Sequence, residues 1–257
     1  MIEKIVNPFF GPLLALHPFV ILLIVSIIAT LIVTYIYKWM TDQKLMKRLK
    51  DDINANQAEM RKSGSDTKKL LSIQKKAMDA NMQYMMHSLK PTLVTFLPII
   101  IIFAWLSTNL AYEPIKPYEE FKVTVIFKEG SSGTVELIAP QNIKVQDNAK
   151  QEIKDGKVEW VLKGAEGEYT EKKGNFLEIR HKEKSYYKDV IVTNKQKYAE
   201  QKKITPDSEI KEISLNNKYL RPMGSVHFFS WYPGWLGVYI ILSIIFSLAL
   251  RKVLNIY

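Results

Sequence analysis

Three runs of this chain carry no charged residue: 19–37, 91–112 and 228–250. Each has about 20 residues, the length an α-helix needs to cross a hydrocarbon core of roughly 30 Å. Hydrocarbon offers a backbone no hydrogen-bond partners, so a segment that enters it must close its own amide ladder. The three runs are therefore forced toward transmembrane helices. The mean hydropathy of −0.08 would suit a soluble protein, but that average hides the segregation of charge from apolar sequence. A soluble single domain is excluded. The absence of Cys excludes a disulfide scaffold and thiolate chemistry.

The first run reads as a retained span and not a cleaved leader. The residues before it hold one Lys and one Glu, no small-residue cleavage site follows, and Lys38 and Trp39 come next. Residues 38–90 form a short loop with twelve basic and six acidic residues, whereas residues 113–227 are nearly balanced at twenty-one and nineteen. Basic short loops stay cytoplasmic, and long domains translocate largely regardless of charge. The expectation is residues 1–18 outside, a span at 19–37, a cytoplasmic loop at 38–90 and a span at 91–112. An outer β domain at 113–200 follows, then a linker at 201–227, a span at 228–250 and a cytoplasmic tail at 251–257. The aromatic group Phe228, Phe229, Trp231, Tyr232 and Trp235 fits an outer interfacial belt.

Within the loop, Met46, Leu49, Ile53 and Met60 recur at helical spacing, with Asn56 at the remaining seam position. Leu71, Met78, Met82, Met85 and Leu89 form a second row. Ser63, Gly64, Ser65 and Asp66 between them stop one helix and cap the next. The pattern predicts an antiparallel coiled-coil hairpin. Seven of the nine methionines lie between 40 and 86. Two roles fit them: filling the seam, or offering a pliable surface to varied apolar partners. The basic charge likewise fits a topology signal alone, or one that also touches anionic lipid or ribosomal RNA.

No ionisable residue lies in the apolar part of any span, which argues against proton pumps, voltage sensors and intramembrane proteases. The spans do carry hydroxyls: Ser26, Thr30 and Thr34 on one stripe, Thr92 and Thr95 on one face, Ser243 and Ser247 on another. Two readings stand: ordinary back-bonding and close helix packing, or a hydrophilic groove for polar parts of a passing chain. Pro98 in the middle of the second span has two readings as well: a kink that helps shape such a groove, or a tolerated proline.

Residues 118–200 alternate as short strands: 121–127, 134–139, 157–162, 176–181 and 186–193, separated by turns such as Asp155-Gly156. This predicts a small β-sandwich, with Trp160 and the turn at 164–169 suiting an immunoglobulin-like core and corner. The fold class is thus an α-helical membrane protein with three spans, a cytoplasmic coiled-coil hairpin and an extracytoplasmic all-β insertion. No nucleotide loop, metal-ligand spacing or nucleophile elbow is present, and the four His are scattered. The expectation is no enzyme, no catalytic residue, no metal and no cofactor.

The segments around residues 19–43, the basic hairpin, the Met-rich run through Leu89, Lys90 and Pro91 into the second span, and the third span together resemble the archaeal branch of the YidC/Oxa/Alb membrane protein insertase superfamily. The tail-anchor insertase subunit of the Get pathway and the third subunit of the endoplasmic-reticulum membrane protein complex are similar in plan. The resemblance covers residues 15–112 and 230–254. It implies three core helices around a hydrophilic groove, a mobile cytoplasmic coiled coil and insertion of weakly hydrophobic segments, often beside a ribosome. The implied groove residues are Ser26, Thr30, Thr34, Thr92, Thr95, Ser243 and Ser247. The implied client-contacting residues are Met78, Met82, Met85 and Met86. Bacterial members place an Arg in the first core helix, and this chain has none there. Implied partners are nascent membrane proteins, lipids and a ribosome at the basic hairpin, with no DNA; the partner of the outer domain stays unassigned. The competing reading is a membrane-anchored adaptor or receptor, with an immunoglobulin-like outer domain and a cytoplasmic coiled coil. An ion channel would need charged or carbonyl-rich pore signals, which are missing.

Overall fold

A computed structural model describes residues 2–62, 67–206, 208–227 and 229–256. The turn expected at Ser63, Gly64, Ser65 and Asp66 lies outside the described residues, as does Phe228. The chain divides into two compact units: residues 1–8, 17–106 and 235–257, and residues 9–16 and 107–234.

The first unit is helical. Helix α1 (Ile2–Phe10) runs into a 3-10 turn (Gly11–Ala15), and Asn7 Oδ1 accepts from the Trp105 indole at 2.8 Å. Helix α2 (Pro18–Met40) has Pro18 in its first turn, where a missing N–H costs nothing, and the His17 ring accepts from the Phe19 amide. Helix α3 (Gln43–Lys62) starts after Asp42, whose carboxylate accepts from the Lys44 and Leu45 amides. Helix α4 (Thr67–Leu110) is one 44-residue helix that passes through Pro91 and Pro98. At 1.5 Å per residue it is about 66 Å long, roughly twice a hydrocarbon core, so part of it stands clear of the bilayer. Helix α5 (Trp235–Val253) follows the second unit in sequence and packs along α2. Helices α2, α4 and α5 are each long and apolar enough to cross a membrane.

The expected seam holds on one arm and fails on the other. In α3, Met46 and Leu49 are buried and Ile53, Asn56 and Met60 half-buried. Over residues 67–90 of α4 the buried residues are Ile73, Ala77 and Ala80, with Tyr84 half-buried; Leu71, Met78, Met82, Met85 and Leu89 are exposed. Both rows have helical spacing, but two residues of offset turn a helix by about 200°, so they face nearly opposite ways. Ile73, Ala77 and Ala80 go in, and the methionines are left outside. The arms meet near the membrane helices, where Met46, Tyr37, Tyr84 and Ile256 cluster, and at the far end through Lys69 and Glu59.

The second unit is β-rich. Its strands are β1 (Glu120–Phe127), β2 (Thr134–Ile138), β3 (Ile143–Val145), β4 (Lys150–Glu152), β5 (Lys157–Gly164), β6 (Gly167–Tyr169), β7 (Leu177–His181), β8 (Lys184–Lys188), β9 (Val190–Val192), β10 (Lys202–Ile204) and β11 (Ile210–Leu215). They form a five-stranded sheet ordered β10-β11-β1-β5-β3, a four-stranded sheet ordered β4-β2-β7-β8 and a β6-β9 pair. Inward residues of both larger sheets, Val123, Val125, Trp160, Leu162, Val135, Leu137, Leu177 and Ile179 among them, share one core.

Two expectations about this unit are corrected. Residues 201–227 are not simply a linker, because they contain β10 and β11, and β11 pairs along β1 with Val123 opposite Leu215. The signal was diluted by a register shift between Ile126 and Phe127: the inward residues of β11 are Ile210, Ile213 and Leu215, spaced three and then two apart, which breaks strict alternation. The unit also lacks immunoglobulin strand order. Its first strand is central, flanked by β11 and β5, whereas an immunoglobulin domain begins on an edge. The two local features that suggested that fold are nevertheless present. Trp160 is fully buried with its indole donating to the Ala149 carbonyl, and the Tyr169 hydroxyl donates back to the Ala165 carbonyl at 2.9 Å.

Candidate functional site: a hydroxyl-lined cavity among the apolar helices

A stripe of α2 faces inward: Leu22, Val25, Ser26, Ala29, Thr30, Thr34 and Tyr37 are buried, whereas Leu31, Ile32, Tyr35 and Trp39 are exposed. The spacing of three and four places the hydroxyls on the packed side and large apolar side chains on the outside. That is the arrangement a lipid-facing helix takes, because hydrocarbon solvates Leu and Ile as well as a protein core does.

On the inward side is a cavity of about 370 Å³ lined by Ala29, Thr30 and Val33 of α2, Ile99 of α4, and Tyr239, Ile240, Ser243, Ile244, Ser247 and Leu248 of α5. Thus three of the seven hydroxyl candidates, Thr30, Ser243 and Ser247, line this cavity. Ser26, Thr34, Thr92 and Thr95 do not.

The hydroxyls differ in what they bond. Thr30 Oγ1 donates to the Ser26 carbonyl at 2.7 Å, Thr92 Oγ1 to the Ser88 carbonyl at 2.6 Å and Thr95 Oγ1 to the Thr92 carbonyl at 2.8 Å. These three are engaged by their own helix, the back-bonding usual for such residues in helices. Ser26 Oγ is fully buried and, among the described residues, has no hydrogen-bond partner. Leaving such an atom unpaired costs about 1–3 kcal/mol. Thr92 is exposed and Thr95 buried.

Tyr239 was not a sequence candidate, yet it lines the cavity one turn ahead of Ser243. The signal was available: 239, 243 and 247 form an i, i+4 row. Ile99 was hidden, because nothing in an unbroken apolar run distinguishes one isoleucine. At the end of the α5 row, the Arg251 guanidinium sits 5.0 Å from the centre of the Tyr37 ring.

The four methionine candidates, Met78, Met82, Met85 and Met86, are all exposed on α4, and the exposed row continues through Leu89, Leu93, Val94, Phe96, Leu97 and Ile100. No group of three or more His, Asp or Glu able to hold a metal occurs among the described residues.

The family model Integral membrane protein EMC3/TMCO1-like matches residues 7–140, more than half of the chain. The chain belongs to the EMC3/TMCO1-like family. This is a family of integral membrane proteins related to the Oxa1/YidC insertase superfamily, so the three apolar helices are the spans of a multi-pass membrane protein. Comparison with curated proteins and with solved structures gave no match. The matched stretch takes in α2, α3, α4, β1 and β2; α5, which supplies six of the ten cavity residues, lies beyond it.

Proposed function

We propose that this EMC3/TMCO1-like protein is an insertase and chaperone of the archaeal YidC-like branch that eases nascent membrane segments into the bilayer and makes or breaks no covalent bond. The observation that carries the reading is the cavity where Thr30, Ser243 and Ser247 meet between apolar helices. Hydroxyls at that depth offer hydrogen bonds to the polar flank of an entering segment, where bare hydrocarbon costs several kcal/mol per unsatisfied backbone group. The exposed methionines of α4 supply a pliable apolar surface for the segment itself.

On this reading α3 and the first half of α4 form a cytoplasmic coiled-coil hairpin. Its net charge of +6 over residues 38–90 supports that sidedness and a contact with ribosomal RNA or anionic lipid. The N-terminus and the β unit are outside and the C-terminus is cytoplasmic.

Site-specific photocrosslinking tests it. Probes at Thr30, Ser243 and Ser247, with a control at lipid-facing Ile32, are expected to capture a ribosome-bound nascent membrane segment from the first three positions only. Silence at all three, with a soluble partner captured by the β unit, would replace this reading with a membrane-anchored adaptor.

A further inference from the structure

Two of the cavity's hydroxyls stand at mid-helix. Thr30 is the thirteenth of the 23 residues of α2, and Ser243 the ninth of the 19 of α5. At 1.5 Å per residue each lies about 12 Å or more from both ends of its helix. Whichever end faces outward, a group held here is near the middle of the hydrocarbon.

Charge at that depth has nothing to meet. Among the described residues, no acidic or basic side chain lines the cavity. Arg251, one turn beyond Ser247 on α5, lies over the Tyr37 ring and is not a lining residue. A carboxylate or an ammonium brought to the cavity would find no counter-charge, and an unpaired buried charge is costly.

The hydroxyls then divide the neutral groups. A threonine hydroxyl has one proton and two lone pairs. Thr30 has given its proton to the Ser26 carbonyl at 2.7 Å, so to a visitor Thr30 Oγ1 offers lone pairs alone. Ser243 Oγ is buried and has no hydrogen-bond partner among the described residues, so its proton is uncommitted. The cavity thus pairs a hydroxyl that only accepts with one that is free to donate. A carboxylate only accepts, and it would turn its lone pairs toward those of Thr30. An ammonium only donates, and leaves the Ser243 proton unmatched. A primary amide does both, through its NH₂ and its carbonyl. The peptide groups of a helical segment are already paired within that helix, which leaves its side chains as the source of the amide.

We infer that the cavity receives one uncharged side-chain amide, Asn or Gln, from an entering membrane segment, Thr30 accepting from its NH₂ and Ser243 donating to its carbonyl. This rests on the insertase reading and names the client group which that site takes; acidic and basic client residues gain nothing from it.

The test uses the full chain reconstituted in phosphatidylcholine vesicles, with protein-free vesicles beside it. Ribosome-bound segments of about 20 Leu and Ala residues carry Asn, Asp, Lys or Leu at one position of the leading flank. The readout is the protease-protected fraction with the protein, divided by that without it. Stimulation of the Asn segment is expected to exceed that of the Asp and Lys segments by about fivefold, the worth of one hydrogen bond. Stimulation of all four segments, with Asp or Lys equal to Asn, would overturn this inference and leave the insertase reading standing. No stimulation of any segment would overturn both. Thr30→Val removes the acceptor at nearly the same volume and is expected to erase the advantage of Asn over Asp, whereas Thr30→Ser, which restores a hydroxyl, is expected to restore it. An advantage that persists in Thr30→Val would overturn the assignment.

Discussion

The helical unit and the β unit solve burial in opposite directions. In the β unit, Val123, Val125, Trp160 and Leu162 go in, and lysines lie outside in ion pairs, such as Lys122 and Lys157 with Glu159 at 2.7 and 2.9 Å. In the helical unit, Ser26, Thr30, Thr34 and Thr95 go in, while Leu93, Leu97 and Ile245 face out. The rule is one rule under two solvents. Water rejects apolar area at about 25 cal/mol per Å², whereas hydrocarbon accepts it and rejects hydroxyls. The edges agree: β10 and β8 carry Lys202, Lys203 and Lys184, which discourage pairing with another chain in water.

The sharpest break of this comparison is at the β core. Trp160→Ala is expected to cost about 3–5 kcal/mol, because the ring is fully buried and its cavity cannot collapse. Thermal melts of the full chain should show the β-sheet signal lost early while helical content persists. Retention of the sheet signal at the parent's melting temperature would show that this core is not water-driven.

Next in size is the one lysine, among the described residues, that went in. Lys188 is 2% exposed, its ammonium donates to the Glu200 carbonyl, and burial pushes its pKa down to about 8 from 10.5. Between those values the unfolded chain binds more protons than the folded one, so stability contributed at this site rises with pH across that window. The gain is of order 3 kcal/mol at most. Denaturant melts at pH 7.5 and 10 should show the rise in the parent and a smaller one in Lys188→Met; equal rises in both would refute the assignment.

Filling the cavity tests the other solvent. Ser243→Ile and Thr30→Leu place carbon where the hydroxyls stand. Both are expected to leave the helices assembled and to slow insertion of segments with polar flanks about 5- to 100-fold, the equivalent of about 1–3 kcal/mol in lost hydrogen bonding. Uniformly apolar segments should be little affected. An equal loss for both client types would point to damaged packing.

The smallest effect belongs to surface charge. The lysines beside Glu159 hold its carboxyl near a pKa of about 2, as Lys173 and Lys197 do for Glu168. These contributions are present above the ordinary value of 4.5 and are lost as pH falls toward 2. Partly exposed pairs are worth about 0.2–1 kcal/mol, so Glu159→Gln should flatten the acid limb of the stability curve only slightly. A loss of several kcal/mol would mean that the pair is structural.

Sequence alone determined a good deal. Charge-free length identified three helices, because hydrocarbon permits no other way to satisfy a spanning backbone. Alternation identified β1, β2, β5 and β7, because water keeps one face of each wet. The hydroxyl rows followed from helical period. Tertiary structure decided the rest. Periodicity does not say which of two equally periodic rows on α4 is buried: Ile73, Ala77 and Ala80 went in and the methionines stayed out. The last strand was masked by a register shift that only its partner β1 reveals. Thr30 lies more than 200 residues from Ser243 and Ser247 in sequence, and only the packing of α2 along α5 brings them to one cavity. A helix's own period fixes which residues share its face; the neighbour that face meets is fixed by side-chain volume and three-dimensional fit, which no local pattern encodes.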